Sequence, residues 1–128
     1  MPEIQASLTL APERIKPFGY IELELNLSIS TDSPEPYWIE AVYEIPSPLS
    51  LAPDKNLSTA KALIGILQKG ETREKRIKLY AGSETYPEIY KIKVTLYFYD
   101  KDGAISERKE YIKELECAEV SAKVVQTP

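Results

Sequence analysis

Acid–base chemistry needs carboxylates, and this chain carries them in pairs: Glu22 with Glu24, and Glu40 with Glu44. In extended chain that spacing puts both members of a pair on one face. Catalysis by such a pair requires a desolvated cleft that drives the two pKa values apart. Lysines are interspersed among these acids and no pocket-forming pattern accompanies them, so a solvated sheet face is expected. The segment Asp100 to Ile105, DKDGAI, matches the middle of a calcium-binding loop. Counting outward from Gly103, however, puts the first ligand position on Phe98 and the bidentate position on Lys109, and neither supplies a carboxylate oxygen. A hairpin turn is the expectation there. The basic cluster REKR, Arg73 to Arg76, has Glu71 and Glu74 interleaved, which favours an ion-paired strand edge over a phosphate site.

The chain has no histidine and one cysteine, Cys117. Ser-His-Asp, Cys-His and His-based zinc chemistry are thereby removed together, along with any intrachain disulfide. Cys117 is expected as a small buried residue near the last strand. Five glycines, none of them clustered, make neither a phosphate cradle nor a dinucleotide fingerprint. No catalytic residue, cofactor or metal site is therefore expected, and an enzyme is the least favoured class. What remains with the chemistry of recognition is aromatic: Trp38, Tyr97 and Tyr99.

The elements that must position these rings are strands. Period-2 alternation dominates the chain. Ile4, Ala6, Leu8 and Leu10 mark a first strand, followed by a linker from Pro12 to Gly19. Ile21, Leu23, Leu25, Leu27 and Ile29 alternate with Glu22, Glu24, Asn26 and Ser28 in the clearest half-buried strand. Tyr37, Ile39, Ala41, Tyr43 and Ile45 make the next apolar face, ended by Pro46 and Pro48. Between Ser58 and Gly70 both helix and strand fit, and strand is preferred near Ala62 to Leu67. Ile77 and Leu79 point inward late in a strand whose first half is charged. Ile89 to Asp100 and Ala104 to Glu114 read as a hairpin about Gly103. About seven strands joined by Pro- and Gly-bearing turns predict an all-β antiparallel sandwich, with residues 1–117 as one domain and 118–128 as a tail or short extra strand.

The 128 residues suit a single core, with 43% hydrophobic residues to fill it and a net charge of −4 that disfavours nucleic acid as partner. No run approaches the roughly 20 apolar residues that cross a bilayer, and MPEIQASLTL lacks the pattern of a secretory signal. A cytoplasmic location without membrane contact is expected. Abundant Lys and Glu, scarce Asn, Gln, Cys and Met, and ten prolines match thermophile composition.

The stretch LTLAPERIKPFGYIELELNL is similar to the opening of immunoglobulin-like repeats in the adhesion-related (CARDB-like) domains of bacteria and archaea: strand, proline-containing link, glycine, alternating strand. IGILQKGE followed by PEIYKIKVTLYFYDKDG resembles the later half of such domains. The resemblance covers roughly Leu8 to Leu115 and implies an immunoglobulin-like β-sandwich of about seven strands. It also implies a place for Tyr90: a tyrosine corner, its hydroxyl bonded back to nearby backbone, with plain core packing as the alternative.

In that arrangement the Trp38 strand lies antiparallel beside the Tyr97 strand, with the Tyr111 strand beyond. Trp38, Glu40, Val42 and Glu44 then face outward, Trp38 falls near Tyr97 and Tyr99, and Glu44 near Lys91 and Lys93. A three-residue loop with Gly103 in the bulge pairs Tyr99 with Ile105, Tyr97 with Glu107 and Lys93 with Tyr111. The expected interaction surface is Trp38, Tyr97, Tyr99, Ile105 and Tyr111, an aromatic end beside a Lys/Glu ladder. Its expected partner is a protein, a second copy of the chain included. Two alternatives stay open: a stacking platform for a small ligand or carbohydrate, and rings that only hold the sheet together. A tail segment, Val120 to Val125, could also cover the patch.

Overall fold

The computed structural model describes residues 4–118; the segment expected as a tail, Ala118 apart, lies outside them. Among the described residues the chain forms β1 (Ile4–Ala11), β2 (Arg14–Ile15), β3 (Ile21–Thr31), β4 (Tyr37–Glu44), β5 (Thr59–Leu67), β6 (Thr72–Ala81), β7 (Glu88–Tyr99) and β8 (Ile105–Cys117), with no helix. Three strands build one sheet in the order β1-β3-β6, and five build the other in the order β2-β8-β7-β4-β5. The protein is all-β, two sheets closed over a shared apolar core.

Alternation decides which side chains enter that core. Leu23, Leu25, Leu27 and Ile29 from β3 meet Ile39, Ala41 and Tyr43 from β4 and Ile92, Val94, Leu96 and Phe98 from β7, all buried. Tyr37 and Phe98 pack edge to face, ring centres 6.1 Å apart. At the start of β7, the Tyr90 hydroxyl donates to the Tyr86 carbonyl at 2.8 Å, tying the strand to the loop that feeds it. Cys117 is buried at the end of β8.

Two features depart from expectation. The Pro12 to Gly19 linker contains β2, which runs parallel to the end of β8 and pairs Arg14 with Glu116 and Ile15 with Cys117. The chain thus crosses from one sheet to the other immediately after β1. Two residues are too few to show alternation, and their partner lies about a hundred residues away, so no local pattern could announce them. The second departure is the β7–β8 register. Tyr99 sits opposite Ile105, but a shift between Phe98 and Tyr99 then puts Phe98 opposite Glu107, Tyr97 opposite Arg108 and Lys93 opposite Ile112. Ser106 is the additional residue. One inserted residue moves every later side chain of β8 to the other face.

The unequal width of the sheets matters for function. Three strands cannot cover five, so the inner faces of β5 and of early β8 stand at the sandwich margin. Ala60, Ala62 and Ile64 on β5, and Glu107, Lys109 and Tyr111 on β8, are accordingly half-buried.

Candidate interaction surface

The outer face of the five-stranded sheet is ordered in rows that run across the strands. The first row is Ile105, Tyr99, Trp38 and Ile66, from β8, β7, β4 and β5. The second is Arg108, Tyr97, Glu40 and Leu63, and the third Glu110, Thr95, Val42 and Lys61. In the fourth, Ile112, Lys93 and Glu44 lead to Thr59. An apolar end therefore grades into a charged one. Ile105, Trp38, Ile66 and Leu63 are 57, 47, 45 and 56% exposed.

Each tyrosine ring is held by a neighbour. The Tyr99 hydroxyl donates to Glu40 Oε1 at 3.3 Å. Partial desolvation pushes the Tyr99 phenol above its ordinary pKa, and the adjacent Glu40 carboxylate adds to that. The Arg108 guanidinium stands 6.0 Å from the centre of the Tyr97 ring, a cation–π distance, and pairs on its other side with Glu110. Hydrogen bonding to Tyr97 and Glu110 raises the Arg108 pKa. At the charged end Lys93 lies 3.6 Å from both Glu44 and Glu110.

Four of the five expected residues share this surface: Trp38, Tyr99 and Ile105 in one row and Tyr97 in the next. Tyr111 does not. The Ser106 insertion turns it to the inner face, where it pairs with Val94 and packs against the core; burial raises its phenol pKa. Its place opposite Lys93 is taken by Ile112, 59% exposed.

The surface also holds two residues that alternation alone does not place there, Leu63 and Ile66. Three positions apart, they belong on opposite faces of a regular strand. A bulge at Ile64 restores them to the same face: Glu40 pairs with Leu63, Ile39 with Gly65, and Trp38 with Ile66. Gly65 adopts φ 110° at this point, where a side chain is rarely accommodated. That glycine inside an apolar strand is the one local signal of the bulge.

The remaining chemistry-bearing motifs have structural partners. Asp100 Oδ1 accepts the backbone N–H groups of Asp102 and Ala104, and Gly103 N–H donates to the Asp100 carbonyl. The calcium-like segment is thus a self-capped hairpin turn. Glu22 pairs with Lys78 at 3.3 Å, and Arg76 with Glu74 at 3.7 Å. Among the described residues no group of three or more acidic, histidine or cysteine side chains is placed to hold a metal ion, and no helix is long and apolar enough to cross a membrane. A cleft of 320 Å³ lined by Tyr20, Pro48, Ser50, Tyr80 and Gly82 contains none of the surface residues. No protein-family model matches the chain, and no curated protein matches it.

Proposed function

We propose that this protein is a non-catalytic interaction module of the immunoglobulin-like class, which self-associates through the apolar end of its five-stranded sheet. The observation that carries this reading is the row Ile105, Tyr99, Trp38 and Ile66 with Leu63 beside it. Side chains from four strands form one exposed apolar tract. Aromatic residues each bury roughly 150–250 Å² when covered, and soluble monomers rarely leave contiguous apolar area beyond a few hundred Å² open. Trp and Tyr are also the residue types most often found as interface anchors. The immunoglobulin-like assignment draws support from the sheet order, the crossing from β1 to β2, and the hydroxyl of Tyr90 bonded to backbone four residues upstream. A lone, buried Cys117 accords with a reducing, cytoplasmic setting.

Light scattering over a wide concentration range tests the reading. Expected is a mass that rises toward a multiple of 14.5 kDa, with the transition shifted to higher concentration in Trp38→Ala. A chain that stays monomeric throughout, while its tryptophan fluorescence shifts on addition of sugars, would instead identify the rings as a carbohydrate-stacking platform.

A further inference from the structure

We infer that the self-association proposed above is strand addition: β5 pairs antiparallel with β5 of a second copy, about a two-fold axis at Ala62, joining the two five-stranded sheets into one. The inference rests on the reading that the chain self-associates, and it moves the contact from the outer face of that sheet to its β5 edge beside Leu63, with Trp38, Tyr99 and Ile105 left on the outer face of the joined sheet.

The sheets end in strands that differ in how they are guarded. On β6, Arg73 and Lys75 lie opposite Ile29 and Leu27 and so share their face. Charges turned toward a sheet's buried side are a device that blocks edge pairing. The free part of β8 carries Glu107, Arg108, Lys109 and Glu110. On β1 the exposed side chains are Gln5, Ser7, Thr9 and Ala11, which gain little from being covered. β8 also exposes Ile105 and Ile112, but with that run of charges between them, whereas β5 offers Leu63 and Ile66 with a single charge, Lys61.

The backbone of β5 is in phase for such pairing. Ile45 N–H donates to the Ser58 carbonyl at 2.7 Å, so by the antiparallel alternation Ala60 and Ala62 bond toward β4. Thr59, Lys61 and Leu63 then turn their N–H and C=O groups away from it. With the axis at Ala62, Lys61 and Leu63 of one copy exchange backbone bonds with Leu63 and Lys61 of the other. The pair astride the axis is then Ala62 with Ala62, whose short side chains admit close approach.

Charge favours this register over the one centred on Lys61. Centred on Lys61, the seam would set two lysines opposite each other. Centred on Ala62, it extends the row Arg108, Tyr97, Glu40, Leu63 into the second copy's Lys61. Glu40 and that lysine are then two strand spacings apart, roughly 10 Å between backbones, within reach of their extended side chains above Leu63. Within one copy, Glu40 accepts the Tyr99 hydroxyl and forms no salt bridge among the described residues, and Lys61 likewise has none. The two-fold repeats the contact, so Glu40 meets Lys61 twice.

Sedimentation velocity on the full chain tests this with five variants. Leu63→Pro removes an outward N–H while sparing the bonds to β4, and is expected to yield a folded monomer by circular dichroism. Lys61→Glu and Glu40→Lys replace attraction by repulsion at two sites. Each is expected to raise the dimer dissociation constant about tenfold or more, and the double variant to restore it. These swaps keep the test decisive even if the proline variant fails to fold. Tyr97→Lys, two strands from the seam, is expected to leave the dimer in place. A dimer indifferent to Leu63→Pro and to both swaps but lost in Tyr97→Lys overturns strand addition in favour of face-to-face stacking, leaving the interaction role standing. A wild-type chain that is monomeric at all concentrations overturns both.

Discussion

Tyr43 and Tyr90 carry the same phenol into the same core under opposite terms. Tyr90 donates its hydroxyl to the Tyr86 carbonyl, whereas the Tyr43 hydroxyl is buried without a hydrogen-bond partner among the described residues. A satisfied buried bond contributes about 1 kcal/mol, while an unmade one costs desolvation with nothing in return. Tyr90→Phe is therefore expected to lower unfolding free energy by about 1 kcal/mol, and Tyr43→Phe to leave it unchanged or raise it, as read by urea denaturation. Burial also pushes the Tyr43 phenol up from 10.0 to about 12. Because the unfolded chain ionises first while burial keeps the folded phenol neutral, this group takes nothing from stability below pH 10 and lowers it as pH climbs toward about 12. Tyr43→Phe should flatten that alkaline decline. Equal slopes in the two proteins would show that other groups govern it.

At the scale of elements, β5 shows how one backbone position reassigns a surface. Gly65 holds φ 110° with open space where a side chain would project. A substitution there meets no obstacle except its own backbone preference. Gly65→Ala is expected to cost about 1–2 kcal/mol, and to blue- or red-shift Trp38 emission as Ile66 moves on the neighbouring strand. Unchanged stability and emission would mean that the bulge does not set the position of Ile66. The β7–β8 hairpin teaches the complementary lesson. Its turn residues are readable, since Asp100 and Gly103 have the chemistry a tight reversal needs. The Ser106 insertion is not, because IleSerGlu carries no bulge signature, and that one residue exchanged Tyr111 for Ile112 on the outer face.

For the molecule as a whole, ion pairs lie on both sheets of the described residues: Arg14 with Glu116, Glu22 with Lys78, Lys113 with Glu13, and Lys93 between Glu44 and Glu110. Exposed pairs contribute little singly at room temperature, but the cost of desolvating charges falls as temperature rises. Together with ten prolines, this leads us to expect melting above the range of about 45–65 °C typical of mesophile domains, with added salt lowering the midpoint. A calorimetric transition inside that range would contradict the thermophilic reading of the composition.

Alternation within single strands determined a great deal unaided. It made the protein all-β, sent Leu23 to Ile29 and Ile92 to Phe98 inward, and put Trp38, Tyr97 and Tyr99 on the outer side of their strands. Those outcomes are local, because the pleat fixes facing residue by residue along one strand. Which strands become neighbours is settled by contacts between distant segments. So the parallel pairing of β2 with β8, the opposed Leu63 and Ile66 gathered beside Trp38, and the exclusion of Tyr111 were decided only by the tertiary structure. An inserted residue costs the sequence pattern almost nothing, yet it inverts every side chain that follows.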